Sequence, residues 1–332
     1  TSGQRGLFLA SRRERMRWAG MMLGRMLRRS LFARHRIAFL LRANNQLYES
    51  VGGKGRIAFR FFDLKRPIEQ LFGEIARFEP TTLIAPAQVL KELARLKSTD
   101  VPGAEGVRPD QIVSVAETLF DDDRAAIEAA FGGRVEEIYQ ATEGFLAYTC
   151  SAGRVHLNEA FVHVAPEWID EAEGLFFPLV TDFSRETQPI VRYRLDDVLR
   201  LDPRPCPCAS PERVLARIEG RADDVLELPG ADAGGSVRLL PDFVARAILG
   251  ARDDATGRGW VEDFRVRQRG HGELEVALQA ADLPAAKAGV ADALHALFAD
   301  HAIAAPALRF VAMGEADFLQ KRRRVCRERT AP

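Results

Sequence analysis

The chain of 332 residues has zero formal net charge and 47% hydrophobic residues, which excludes a disordered or strongly acidic protein and leaves room for two domains with substantial cores. No apolar run reaches the roughly 18 residues of a membrane-spanning helix, so no transmembrane segment is expected, and no signal peptide is visible in the residues given. The sequence opens on Thr1-Ser2-Gly3 without an initiator Met, which reads as a trimmed chain.

Residues 1–60 are rich in Arg and contain only two acids, Glu14 and Glu49. No aromatic-interleaved nucleic-acid motif accompanies this charge, so no nucleic-acid partner is expected. The Arg residues read as the solvated face of a helix from Arg12 to Leu31, with Met16, Ala19, Met22, Leu23, Met26 and Leu27 on its apolar face. Residues 36–42 and 56–62 read as strands separated by the polar Gly52-Gly53-Lys54-Gly55. A helix is predicted over 67–77 with Pro67 at its first position, a buried strand over 81–86, and a helix over 87–97. A further helix over 121–132 precedes a strand from Arg134 to Ile138. Strands alternating with helices at this spacing predict an α/β sheet.

After Gly230 the pattern changes. A helix at 240–250, strands at 261–268 and 273–279 around Arg269-Gly270-His271-Gly272, an Ala-rich helix at 283–300 and a strand at 307–312 predict a compact α+β unit. The predicted architecture is a large N-terminal mixed-sheet domain over 1–222 and a small C-terminal α+β domain over 223–332.

The hexapeptide Tyr139-Gln140-Ala141-Thr142-Glu143-Gly144 places an aromatic face, a hydroxyl and a carboxylate within one turn. That content suits a site that stacks a base, touches phosphate and holds magnesium, and it also fits an ordinary strand-to-helix loop. Four other stretches give it context. Thr1-Ser2-Gly3-Gln4-Arg5-Gly6 is a glycine-punctuated hydroxyl loop of the kind that offers backbone N–H groups to phosphate. Asp197, in Arg192-Tyr193-Arg194-Leu195-Asp196-Asp197, can hold the two hydroxyls of a ribose. Gly220-Arg221-Ala222-Asp223-Asp224 lies at the domain boundary, and Lys321 lies close to the C-terminus.

In this order and spacing the set resembles the adenylate-forming enzymes, closest to the branch of phenylacetate–coenzyme A ligase and the deazaflavin-cofactor adenylating synthetases. The resemblance implies an adenylation domain with a mobile C-terminal domain, and a ligase that uses ATP and magnesium. Such an enzyme activates a small carboxylic acid as an acyl-adenylate and passes it to the thiol of coenzyme A or of an acyl-carrier protein. Transfer of AMP to another acceptor is the runner-up reaction, and an inactive fragment is the further alternative. Carried over by residue, Thr1, Ser2, Gly3 and Gly6 belong to the phosphate loop and Tyr139 stacks on adenine. Thr142 contacts phosphate and Glu143 coordinates magnesium. Asp197 holds ribose with Arg221 nearby, Asp223 is the hinge, and Lys321 bridges the carboxylate and the α-phosphate. Two departures from the family pattern are Gln4-Arg5 in the phosphate loop and Gln320, in place of Gly, before Lys321.

Cysteines stand at 150, 206, 208 and 326. Cys150 with His156, and the pair Cys206 and Cys208, offer four ligands that suit tetrahedral zinc, although a CxC alone also fits two loop thiols. The resemblance strengthens the structural-zinc reading. Zinc thiolates and ATP chemistry together predict a cytoplasmic protein without disulfides. A homodimer is an expected oligomeric state. Cys326 and His35, His163, His271, His295 and His301 are read as incidental. The acid pocket is expected along 81–86, 114–120 and 139–146, with Leu83, Ile84, Leu119, Phe120 and Phe145 and no charged anchor, which fits an apolar, aromatic acid.

Overall fold

A computed structural model describes residues 8–30, 32–42, 56–99, 103–232, 235–253, 256–315 and 317–328. The chain divides into two compact units, one of residues 1–195, 199–218 and 318–321, the other of 196–198, 219–317 and 322–332. The expected α/β class with a large mixed sheet and a smaller second sheet is what forms.

In the first unit, α1 (Arg12–Met26), β1 (His35–Leu41), β2 (Ile57–Asp63), α2 (Ile68–Phe78), β3 (Thr82–Ala85), α3 (Ala87–Lys97), β4 (Gln111–Val115), α4 (Asp121–Phe131) and β5 (Val135–Ala141) follow in order. Strands β2, β1, β3, β4 and β5 lie side by side and parallel. Period-two alternation with cover on both sides gives β1, β3 and β4 two buried faces, while the edge strand β2 is largely half-buried. Ala38, Leu40, Leu83, Ala85 and Ile112 meet Leu71, Phe72 and Ile75 of α2, Leu90 and Leu93 of α3 and Ile127 of α4. Ile37, Phe39, Ile84, Val113 and Ile138 face the opposite way, onto Met21, Met22 and Met26 of α1. Gly132 ends α4 at φ +76°, a left-handed cap that glycine adopts without Cβ strain.

The sheet continues into strands without helices between them: β6 (Gly144–Thr149), β7 (Val155–Leu157), β8 (Val162–Asp170), β9 (Leu175–Asp182), β10 (Ile190–Arg194), β11 (Asp197–Asp202) and β12 (Val214–Arg221). The pairings β5–β6, β6–β7, β7–β12, β8–β9, β9–β10 and β9–β11 are all antiparallel. Sequence reading assigned no elements across 144–221 beyond the hexapeptide and the apolar 189–191.

α1 differs from expectation in extent and in facing. It stops at Met26, and a capping box of Ser11 and Glu14 starts it. Met16 is exposed while Met21 is buried. Arg25 and Arg28 are engaged, the first with Glu212 at 2.7 Å and the second with Glu136 at 2.6 Å. The helix lies against a sheet at an angle its own periodicity does not encode.

The second unit contains a hairpin of β13 (Leu226–Pro229) and β14 (Ser236–Leu239), then α5 (Pro241–Gly250), β15 (Asp263–Arg269), β16 (Glu273–Gln279), α6 (Leu283–Asp300), β17 (Ala307–Val311) and β18 (Val325–Arg327). The four-stranded sheet runs β17-β16-β15-β18. Its inward residues Phe264, Val266, Leu274 and Val276 are buried, as are Val244 and Ile248 of α5 and Val290 and Leu294 of α6. No helix among the described residues is long and apolar enough to cross a membrane.

Candidate active site

The hexapeptide is not a strand-to-helix loop. β5 runs through Ala141, the chain reverses at Thr142 and Glu143, and β6 leaves at Gly144, which pairs with Ala141. A register shift between Tyr139 and Gln140 marks a bulge just before the turn, a device that re-aims side chains. Tyr139 packs on the apolar cluster of Leu146, Ala147 and Val162. Thr142 is exposed and Glu143 half-buried, and neither side chain has a hydrogen bond with another described residue.

Beside this turn lies a cavity of about 660 Å³ within the first unit. Its wall is apolar: Trp18, Met22 and Met26 of α1, then Ile37, Phe39, Leu41, Phe59, Ile84, Val115 and Ile138 of the parallel strands. Its polar lining gathers Glu14, Arg15, Gln140, Thr142, Asp182, Ser184, Arg185 and Lys321. Of the expected pocket residues Ile84 lines it, whereas Leu83 and Leu119 sit in the core on the helical side and Phe145 is buried among Ile138, Tyr148 and Cys150. Phe120 caps α4 and does not line it. Alternation explains Leu83, which points to the opposite sheet face from Ile84. Arg15, Arg185 and Lys321 bring positive charge to this cavity from outside the segments expected to line the acid pocket.

Polar pairs that sequence reading missed shape this cavity. Asp182, 7% exposed at the end of β9, accepts the Ser184 N–H at 2.7 Å and the Ser184 hydroxyl at 2.6 Å. Arg185 stands 3.6 Å from Asp182 and donates to the Thr142 carbonyl. Glu117, its side chain 1% exposed, accepts from Arg42 and from the Gln88 side chain at 2.9 Å. Gln88 and Arg42 also donate to the Gln320 carbonyl, at 2.8 and 2.7 Å. Lys321 is thus delivered to the cavity by a segment held in place by the first unit. Ala116, beside Glu117, holds φ +66°, a strained conformation for a residue with Cβ and a mark of functional sites.

Glu14 fastens the start of α1. Its carboxylate accepts the Glu186 and Thr187 N–H groups at 2.7 and 2.8 Å and the Thr187 hydroxyl at 2.6 Å, besides the Ser11 N–H. Burial works against its ionisation, but these donors outweigh burial and hold the group well below the usual carboxylate range.

Thr1, Ser2, Gly3 and Gly6 lie outside the described residues, as does the Gly52–Gly55 stretch. Asp197 and Arg221 belong to the second unit, where they stand 3.8 Å apart. Asp223 occupies the short 3-10 turn Ala222–Asp224 of that unit.

The four expected metal ligands converge. One donor atom from each of Cys150, His156, Cys206 and Cys208 lies within 4.8 Å of every other. Cys150 Sγ is 3.6 Å from Cys206 Sγ, and Cys208 Sγ is 3.5 Å from His156 Nε2. Zn–S bonds of about 2.3 Å and Zn–N bonds of about 2.1 Å require tetrahedral edges of roughly 3.6–3.8 Å, so the donor set fits zinc. His156 is fully buried, and its Nδ1 faces the Glu212 carbonyl at 2.9 Å, which leaves Nε2 for a metal. The Cys208 N–H helps hold the Cys206 thiol down to about 6. Cys208 moves up: the Ser210 N–H favours its thiolate, but burial and the neighbouring sulfurs prevail. Close thiolates repel, and a divalent cation is what lets all three ionise. All four cysteines are free of disulfides. Arg154 steadies the Cys206 loop by donating to the Arg204 and Pro205 carbonyls at 3.0 and 2.7 Å. Arg25 and Tyr148 surround Glu212, and burial together with the Glu212 carboxylate pushes the phenol up to about 12.

No protein-family model matches the chain. A phenylacetate–coenzyme A ligase of Pseudomonas putida is 28% identical over 190 residues, covering 53% of this chain and 40% of that protein. That of Aromatoleum evansii is 33% identical over 135 residues, covering 38% of this chain and 29% of that protein. The matched regions thus span less than half the length of these curated relatives. A 2-hydroxyisobutyryl-CoA ligase, solved in the postadenylation state in complex with R3-HIB-AMP, superposes with a TM-score of 0.67 at 16% identity, covering 96% of this chain and 70% of that chain. Over part of its length the chain is thus similar in sequence to phenylacetate–coenzyme A ligases, and over nearly all of it the chain shares the fold of an adenylate-forming CoA ligase.

Proposed function

We propose that this protein is an ATP-dependent acid–thiol ligase that activates an apolar, aromatic carboxylic acid as its acyl-adenylate and transfers it to a thiol such as coenzyme A. The observation that carries the reading is one apolar cavity whose polar lining contains both the Thr142 turn and Lys321. The aryl group fits against Trp18, Met22, Phe39 and Phe59, and the carboxylate reaches Lys321. Attack of a carboxylate on an α-phosphate brings two anions together, so the barrier is largely electrostatic. Lys321 supplies a compact positive charge on a flexible stem. Thr142 presents its hydroxyl to phosphate, and Glu143 would hold magnesium, which supplies Lewis-acid neutralisation of the phosphates.

In this reading Tyr139 packs along the adenine, Asp197 and Arg221 take the ribose, and Thr1, Ser2, Gly3 and Gly6 belong to the phosphate loop. Asp223 is the hinge between a large domain over 1–222 and a small domain over 223–332. Cys150, His156, Cys206 and Cys208 hold a structural zinc with no open coordination position. A reducing cytoplasm suits those thiols. An acyl-carrier protein as thiol donor, and a homodimer, belong to the same proposal.

The test is ATP–pyrophosphate exchange with a panel of aryl acids. Exchange with at least one acid is expected, and Glu143→Ala should reduce it by about 100-fold or more. ATP binding without exchange for any acid, or near-normal exchange in Glu143→Ala, would remove the assignment.

A further inference from the structure

Thr142 and Glu143 form a two-residue turn at the edge of a cavity, with neither side chain tied to another described residue. A turn so placed needs support from its backbone if its side chains are to stay aimed. The support comes from Arg185 and Asp182, about forty positions further along the chain. The Arg185 guanidinium donates to the Thr142 carbonyl and faces the Asp182 carboxylate. The Ser184 N–H and hydroxyl fix the other carboxylate oxygen, so the pair has little rotational freedom. Below the turn, a Cβ on Gly144 would stand 3.2 Å from Asp182 Oδ2, so the hairpin lies directly on that carboxylate. Arg185 itself is 17% exposed at its side chain, held between the turn and Asp182.

We propose that Arg185, oriented by Asp182, is a positioning residue that fixes the Thr142–Glu143 turn and thereby aims the Glu143 carboxylate and the Thr142 hydroxyl at the ligand phosphates and their cation. This rests on the ligase reading above. The guanidinium holds the turn by its main chain and leaves both side chains for the ligand. Lysine can reproduce one such donor bond but not the fork that reaches turn and carboxylate together.

The test is a double-mutant cycle in pyrophosphate exchange, with magnesium titrated, on the full chain. Arg185→Met should lower exchange roughly 30- to 100-fold and raise the magnesium concentration needed for half-maximal rate, with the KM for the acid little changed. Arg185→Lys should recover part of the loss. In a Thr142→Ala/Glu143→Gln background, Arg185→Met should cost less than about threefold, because both groups it positions are already gone. Additive losses would overturn the proposal, since Arg185 would then act on substrate separately. Amide hydrogen exchange over residues 139–146, measured without ligands, gives a second readout. Arg185→Met should speed it by about tenfold, and unchanged protection would overturn the clamp. Wild-type protein without exchange for any acid would sink the ligase reading, while the amide measurement still decides whether Arg185 holds the turn.

Discussion

Glu14→Gln isolates what one buried carboxylate does for the roof of the cavity. The wild-type group accepts from Ser11, from the Glu186 and Thr187 N–H groups and from the Thr187 hydroxyl. The amide keeps one acceptor oxygen, turns the two bonds it accepts into neutral ones and presents an NH2 to the Ser11 N–H. Two charge-assisted bonds made neutral cost about 1 kcal/mol each, and the orphaned Ser11 donor about 1 more, so a loss near 3 kcal/mol is expected at pH 7. The sign with pH follows from the depressed folded-state value. The contribution is complete above the unfolded carboxylate range of about 4.3 and is lost as pH falls through the lower folded value. The gap between wild type and variant should therefore be flat from pH 8 to about 5.5 and close below about 4.5. Urea unfolding followed by Trp18 emission, with Trp168 and Trp260 replaced by Phe, reports on this unit. A gap under about 0.5 kcal/mol at pH 7, or one that fails to shrink between pH 5 and 3, would refute the reasoning.

Two further outcomes are expected. Cys206→Ser should lower bound zinc from one equivalent to none by metal analysis and reduce unfolding resistance, whereas Cys326→Ser should leave metal content unchanged; equal zinc in wild type and Cys206→Ser would remove the site. Gly144→Ala pushes a methyl toward Asp182 Oδ2 at 3.2 Å and Leu146 Cδ2 at 3.4 Å, so it should cost about 1–2 kcal/mol of stability and most of the exchange activity; a variant as stable and active as wild type would show that the hairpin has slack.

Much of the fold could be read from the chain. β1 to β5 with α2, α3 and α4 carry their own signals: short apolar runs, Pro67 and Pro86 ahead of helices, Gly132 behind one. The same holds for α5, β15, β16 and α6. Strands β6 to β12 went unassigned: β10, β11 and β12 are interrupted by charged residues, while β6 and β9 carry apolar runs whose partners become evident only once neighbours are paired. The turn at Thr142 was misread for the same reason: nothing local says that the next segment returns as a strand.

Residue identity and chain order set which chemical groups are available, so the adenylate-forming resemblance and the four zinc-suited ligands were legible in the chain alone. Tertiary structure alone decided that Met21 and not Met16 is buried, that Glu14 binds Thr187, that Arg185 reaches Thr142, and that Cys150 meets Cys206. Periodicity encodes which face of an element is apolar, over a few residues. It carries no record of which distant donor a buried carboxylate or thiol will meet, because those pairings are set by how the sheet stacks and twists, and they join residues tens to hundreds of positions apart.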